Sequence, residues 1–341
     1  MIKIGNIELP EFPLLLAPME DVSDPPYRRL CKLHGADMMY SEFISSEGLI
    51  RDAMKSRKKL DIFDYERPVG IQIFGGDEEA MAMSARIVET VNPDLVDINF
   101  GCPVKKVVCK GAGAGVLKDV DMMVRLTRAV VSSTSLPVTV KTRLGWDSNS
   151  INIDEVAERL QETGIKALTI HARTRGQMYK GEADWEHISR IKQNPNIEIP
   201  IFGNGDIDSP EKALEYKNKY ACDGIMIGRA AIGYPWIFNE IKHFFATGEN
   251  LAAPTISDRL LAVRQHAEWS AEWKGEKLGL IEMRQHYSNY FRGIPHFKDF
   301  RRKFLEVYSL VEMDEVIKET QGFYEEYQAQ VYTEVEDNLK H

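Results

Sequence analysis

The chain has 341 residues, 43% hydrophobic and 28% charged, with a formal net charge of −9. These proportions belong to an ordinary globular protein and exclude a disordered or collagen-like chain. Nine carboxylates against two lysines fall in residues 311–341, which leaves −2 on residues 1–310 and keeps local basic surface open there.

The opening MIKIGNIELPEF has no signal-peptide pattern, and no apolar run approaches a membrane span, so a cytoplasmic, membrane-free protein is expected. Short apolar, β-branched runs then recur: FPLLLAPM (12–19), ADMMYSEF (36–43), VGIQIFG (69–75), LVDINF (95–100), LPVTVKTRL (136–144), KALTIHAR (166–173), IPIFGNGD (199–206) and DGIMIGRA (223–230). Helical patterns lie between them at 77–91, 119–133, 151–164 and 209–220, with Asp77 and the Ser209-Pro210 pair as start signals. Strand–helix alternation means parallel strands joined by crossovers. Eight strands in about 230 residues predict a TIM (β/α)8 barrel, with an open doubly wound sheet as the alternative. After Pro235 the strand signals stop, and the Thr247–Asn250 stretch with Pro254 marks a linker. The expected organisation is a catalytic barrel over residues 1–245 and a small all-helical domain over residues 250–341.

A barrel carries its chemistry at the C-terminal ends of its strands. Those ends bear Ala17-Pro18-Met19, Glu42, Gln72, Asn99 with Cys102, Lys141 with Arg143, His171 with Arg173, Asn204-Gly205-Asp206, and Gly228-Arg229. Polar and ionisable groups thus converge on one face from nearly every strand. The loops FGNGDI and IGRAAIG after the last two strands offer small residues and a fixed positive charge at Arg229, a setting for the phosphate of a bound cofactor. Of the four cysteines, Cys31 and Cys222 lie in helix- or strand-like segments and Cys109 in a loop; Cys102 alone sits at a strand end, in a Gly-Cys-Pro turn. Their spacing fits no zinc site, and no metal is expected.

The series LLLAPMEDVSDPPYRRL, IQIFG, DINFGCPVKKV, VKTRLGW, HARTR, NGDI and GRAAIGYPWIF, in this order, resembles the tRNA-dihydrouridine synthases, and among them the bacterial B-type group. The likeness continues through EMRQHYSNYFRGIP and FRRKF. It implies an FMN-dependent, NADPH-driven oxidoreductase that saturates the C5–C6 bond of uridine in tRNA, needing no obligate protein partner. Carried onto this sequence, the resemblance makes Cys102 the proton donor to C5. It puts Ala17, Pro18, Met19, Gln72, Lys141, His171, Asn204, Gly205, Asp206, Gly228 and Arg229 around FMN. Asn99 and Arg173 would meet the base, while Lys105, Lys106, Arg301 and Arg302 would meet RNA phosphates, with Lys110, Arg292, Lys298 and Lys303 as further cations. The rival reading is a flavin barrel acting on a free pyrimidine, such as a dihydroorotate dehydrogenase. A catalytically silent RNA-binding barrel is the rival outside the enzymes.

Overall fold

The computed structural model describes residues 1–339, with side chains through residue 327. The acidic residues of the C-terminal stretch beyond that point lie outside the described side chains. Two compact units are present: Met1–Ala231 with Ile237–Asn250, and Ile232–Trp236 with the chain from Leu251 onward.

In the first unit eight parallel strands follow one another: β1 (Leu14–Leu16), β2 (Met39–Tyr40), β3 (Val69–Phe74), β4 (Leu95–Asn99), β5 (Val138–Arg143), β6 (Ala167–His171), β7 (Ile201–Asn204) and β8 (Gly224–Ile227). Each pairs with its sequence neighbour from β2 to β8, and β8 returns to β1. Between β1 and β2 the ring closes on a single bridge, Leu15 to Met38, with Leu16 N–H donating to Met38 O at 2.9 Å. The ring is a TIM barrel, nearly continuous in its pairing, and the open sheet is excluded.

Crossover helices cover the outside: α1 (Pro25–Leu33), α2 (Glu78–Glu89), α3 (Val120–Val131), α4 (Ile153–Gln161), α5 (Glu186–Gln193), α6 (Pro210–Tyr220) and α7 (Ile237–Thr247). Their starts are fixed by side-chain caps: Asp77 accepts from Ala80 N–H, Asp119 from Met122 N–H and Ser209 from Lys212 N–H, each satisfying a donor the helix cannot pair itself. An N-terminal hairpin, Ile2–Ile4 with Ile7–Leu9, puts Ile4 and Leu9 against the inward residues Leu15, Met38, Tyr40, Leu95, Ala167, Phe202 and Met226. These residues fill the interior, as expected of a small barrel.

Two features of this unit matter for stability. Arg28 of α1 is 1% exposed and Glu66 is 0% exposed; Arg28 Nη2 donates to Glu66 Oε1 at 3.0 Å, and the Nε edge meets the other carboxylate oxygen. The remaining donors reach Ser23 O at 2.8 Å and Asp61 O at 2.9 Å. Gly203 of β7 faces the buried Trp185, and a Cβ there would stand 1.9 Å from the indole ring.

The second unit holds α8 (Ile256–Lys274), α9 (Glu276–Tyr290), α10 (Phe297–Leu305) and α11 (Leu310–Leu339). Thr255 and Asp258 cap α8 reciprocally. On α10 the apolar stripe Phe297, Phe300 and Phe304 is buried and stacks with Phe291, whereas Lys298, Arg301 and Arg302 are exposed.

Candidate active site

Side chains alternate across a strand, so the inward positions follow from the core residues already named. Stepping up from Leu15, Leu95, Ala167, Phe202 and Met226 in twos brings Ala17, Asn99, His171, Asn204 and Gly228 to the C-terminal mouth. The register of β3 with β4 pairs Gln72 with Asp97, and that of β4 with β5 pairs Asn99 with Lys141. The strand-end residues therefore point into the barrel together at its C-terminal end.

Cys102 lies in the turn just past β4 and is 7% exposed. Asn99 Oδ1 accepts from Gly101 N–H at 2.9 Å and Cys102 N–H at 2.8 Å, and Arg143 Nε donates to Gly101 O at 2.7 Å. Ala114 N–H returns to Cys102 O at 3.0 Å, folding the glycine-rich stretch back onto the turn. Burial pushes the Cys102 thiol up, against the pull of Val104 N–H, Arg143 and Lys141. The thiol is accordingly protonated at neutral pH.

Lys141 Nζ donates to Asn204 Oδ1 at 3.0 Å, and Asn204 in turn donates to Met226 O. Burial, helped by Arg143, draws Lys141 down to about 7. Burial and the surrounding cations Arg143, Lys141, Arg173 and Arg229 hold His171 well below the usual imidazole range, so its ring is neutral. Its Nε2 is buried and has no hydrogen-bond partner in the protein. Arg173 is 2% exposed; its Nη2 grips both oxygens of Asp206 at 2.7 and 2.6 Å and reaches Gly181 O, while Nη1 has no partner. Partial burial pushes the Asp206 carboxyl up, but Arg173 and Ala183 N–H outweigh it and hold it below its ordinary value. Arg229 stands half-exposed at the rim, 3.4 Å from Asp206 Oδ1. Gly205, at φ 127°, leaves no room for a side chain: a Cβ would press on Ala183 and His171.

Of the residues expected at the site, Ala17, Asn99, Lys141, His171, Asn204 and Gly228 point inward near the top of the barrel, and Gln72 points inward level with Asp97, one step below Asn99. Cys102, Arg173, Gly205, Asp206 and Arg229 surround them in the loops, and Pro18 and Met19, partly exposed, follow Ala17. Lys105 and Lys106 are exposed on the turn of helix after Cys102. Arg301 and Arg302 belong to the other unit. One residue at the mouth escaped the sequence reading. Tyr179, 51% exposed in the loop after β6, has its ring 5.6 Å from the Arg143 guanidinium, 5.1 Å from that of Arg229 and 6.3 Å from His171. A lone tyrosine in a long polar loop carries no periodic signal, and only the fold brings it to the cations.

Barrel, inward polar groups and strand-end thiol have the arrangement of a (β/α)8-barrel enzyme, a class that carries its chemistry at the C-terminal ends of the strands. The profile of the family described as Dihydrouridine synthase (Dus) matches residues 15–327. A probable tRNA-dihydrouridine synthase of Rickettsia conorii is 39% identical over 302 residues, 88% of this chain and 90% of that protein. The tRNA-dihydrouridine synthase B of Pseudomonas aeruginosa is 40% identical over 304 residues, 89% and 91% of the two chains. The chain belongs to the dihydrouridine synthase family. Among solved structures it shares its fold with a 2-naphthoyl-CoA reductase at TM-score 0.57 and 13% identity, covering 71% of this chain and about half of that one (51%). Morphinone reductase in complex with tetrahydroNAD matches at TM-score 0.50 and 11% identity, covering 75% and 92%.

Proposed function

We propose that the chain is a tRNA-dihydrouridine synthase that works with FMN and NADPH and uses Cys102 to protonate C5 of the uracil. The observation that carries this reading is the buried, protonated thiol pinned at the end of β4, in a chain about 40% identical to synthases of that name along nearly its whole length.

The mouth has the donor set for a flavin mononucleotide. Arg173 Nη1 is a buried donor with no protein acceptor, His171 Nε2 is buried without a partner and donates in its Nε2–H tautomer, Gly205 and Gly228 leave backbone bare, and Arg229 adds positive charge. An anionic phosphate satisfies such a group of donors. Asp206 fixes the Arg173 guanidinium, and Asn204 fixes the Lys141 ammonium. Ala17, Pro18, Met19 and Gln72 would line the ring, and Lys141 would place a positive charge at its edge. FMN held there would supply hydride chemistry toward C6 of the uracil, with NADPH as the source of its electrons.

The residues of this chain provide what remains. The uracil double bond is conjugated with the C4 carbonyl, so charge driven toward C5 must be met by a proton. Cys102 holds that proton on Sγ. Arg143 and Lys141 favour the thiolate left behind, which eases its departure. Asn99 keeps one amide hydrogen free of Gln72 for a carbonyl of the base. A base in folded RNA must leave its stack to reach the mouth; Lys105 and Lys106 beside the turn, and Arg301 and Arg302 on α10, would hold phosphates while it does.

The test is to incubate the purified protein, NADPH and tRNA lacking dihydrouridine, then map the product by mass spectrometry. Dihydrouridine in the tRNA is the expected result. Turnover of free uracil or orotate, with tRNA untouched, would replace this reading with the free-pyrimidine one.

Two variants examine the binding roles. Arg229→Ala should weaken FMN retention about tenfold, the lower end of what a charge-assisted hydrogen bond contributes, because the side chain is half-exposed. Full retention at limiting FMN, read by flavin absorbance, would remove Arg229 from the phosphate site. Replacing Arg301 and Arg302 together by alanine should flatten the plot of log affinity for tRNA against log salt by about one unit of slope per lost phosphate contact. An unchanged slope would return α10 to an ordinary solvated face.

A further inference from the structure

From the mouth downward the barrel contains a chain of buried amides with one carboxylate at its foot. Asp97 of β4 is 1% exposed, and the strand register sets it beside Gln72 on one side and Thr139 on the other. Gln72 Nε2 donates to Asp97 Oδ2 at 2.6 Å, and Thr139 Oγ1 donates to Oδ1. Asn99 Nδ2 donates to Gln72 Oε1 at 2.7 Å, and Asn99 Oδ1 accepts the N–H groups of Gly101 and Cys102.

The two ends of this chain decide its direction. A carboxylate can only accept, and a main-chain N–H can only donate. Two amides placed between an acceptor end and a donor end are satisfied in one orientation: each NH2 toward Asp97, each oxygen toward the turn. Flipping either amide sets oxygen against oxygen or N–H against N–H in a buried site, where an unmet polar group is costly. We infer that Asp97 is a positioning residue: acting through Gln72 and Asn99, it fixes the Gly101–Cys102 turn and so the place of the Cys102 thiol.

Asp97 sits too deep to meet a base, and its burial pushes its carboxyl up to about 6, opposed by Gln72, Thr139 and Lys141. A carboxylate kept in such a place needs a function that a leucine of similar size would not serve. The inference uses the proton-donor reading of Cys102 for its catalytic consequence only; the thiol's placement is measured separately.

The experiment compares three variants of the full-length protein, each also carrying Cys109→Ala so that Cys102 is the thiol nearest solvent. Asp97→Leu removes the acceptor end. Cys102 should then react with iodoacetamide about tenfold faster, the size of effect expected when one buried hydrogen bond that orients the turn is lost, and dihydrouridine formation in tRNA should slow by a similar factor. Asp97→Asn removes the charge but keeps an acceptor, with its NH2 turned to the Thr139 hydroxyl, and should react within about threefold of the parent. Should Asp97→Leu fail to fold, Gln72→Met cuts the chain one link higher and should raise the alkylation rate alike. Equal alkylation of Asp97→Leu (or of Gln72→Met in its place) and the parent would overturn the inference. Asn behaving like Leu would overturn it too, since charge near Lys141, not amide direction, would then be the cause. If instead Cys102→Ala still makes dihydrouridine, the proton-donor reading fails while the alkylation rates still decide the role of Asp97.

Discussion

Replacing Cys102 with alanine is expected to separate the two halves of catalysis. Oxidation of NADPH in the presence of an artificial electron acceptor should run at nearly the parent rate, because that half-reaction moves no proton to C5 of uracil. Formation of dihydrouridine should fall by about 10²–10⁴-fold, the range for loss of a positioned general acid. Cys102→Ser should also be slow: a hydroxyl is a far weaker acid than a thiol, even one that burial has raised. The turn itself should survive either change, since Asn99 and Arg143 hold its backbone rather than its side chain. Cys109 is the control; it is exposed on the segment after the turn, and Cys109→Ala should reduce tRNA normally. Normal reduction by Cys102→Ala would end the case for this thiol, and loss confined to Cys109→Ala would move the acid one loop along.

The largest effect on stability is expected at Arg28. Its guanidinium and the Glu66 carboxylate are both out of water, and each is completed by backbone: Arg28 by the carbonyls of Ser23 and Asp61, Glu66 by Phe63 N–H at 2.8 Å. Arg28→Ala would strand Glu66 as a buried charge, which typically costs about 3–5 kcal/mol. Arg28→Lys should recover part of this at most, because an ammonium cannot span both carboxylate oxygens and two carbonyls. The urea midpoint of the barrel unit, read by far-ultraviolet circular dichroism, should drop accordingly. A midpoint within a few tenths of a molar of the parent would mean that water reaches the site in solution.

The eight strands were legible because parallel strands buried on both faces read as unbroken apolar runs. VGIQIFG and LPVTVKTRL needed no tertiary information. The run ADMMYSEF was less faithful: only Met39 and Tyr40 pair as strand, because the next rung is made by the Ser41 hydroxyl, which accepts Gln72 N–H at 3.1 Å where a main-chain carbonyl would continue the ladder. The strand-end residues could be collected from the sequence, but what each one touches could not. Asn99 is bound into the Cys102 turn and Arg173 into Asp206, and both facts depend on partners set by register or by a loop returning from elsewhere. Asp97 left a trace, an acid inside the run LVDINF. Its partners Gln72 and Thr139 lie 25 and 42 residues away, and only the pairing of three adjacent strands makes them neighbours.

The contact between Gly203 and Trp185 also limits the order in which this protein can change. The indole occupies the volume that any side chain at 203 would need, packs its ring edge-on to Tyr216 with centroids 4.9 Å apart, and donates from Nε1 to Gly205 O at 3.0 Å. Position 203 is therefore closed to substitution while Trp185 stands, whatever residue is tried. A smaller residue at 185 would have to come first, at the cost of a core cavity and of the bond that steadies Gly205 beside His171. Only afterward would alanine at 203 refill part of that space. The two positions form an epistatic pair in which one mutational path is open and its reverse is blocked, so drift at this corner of the mouth must pass through a weakened intermediate.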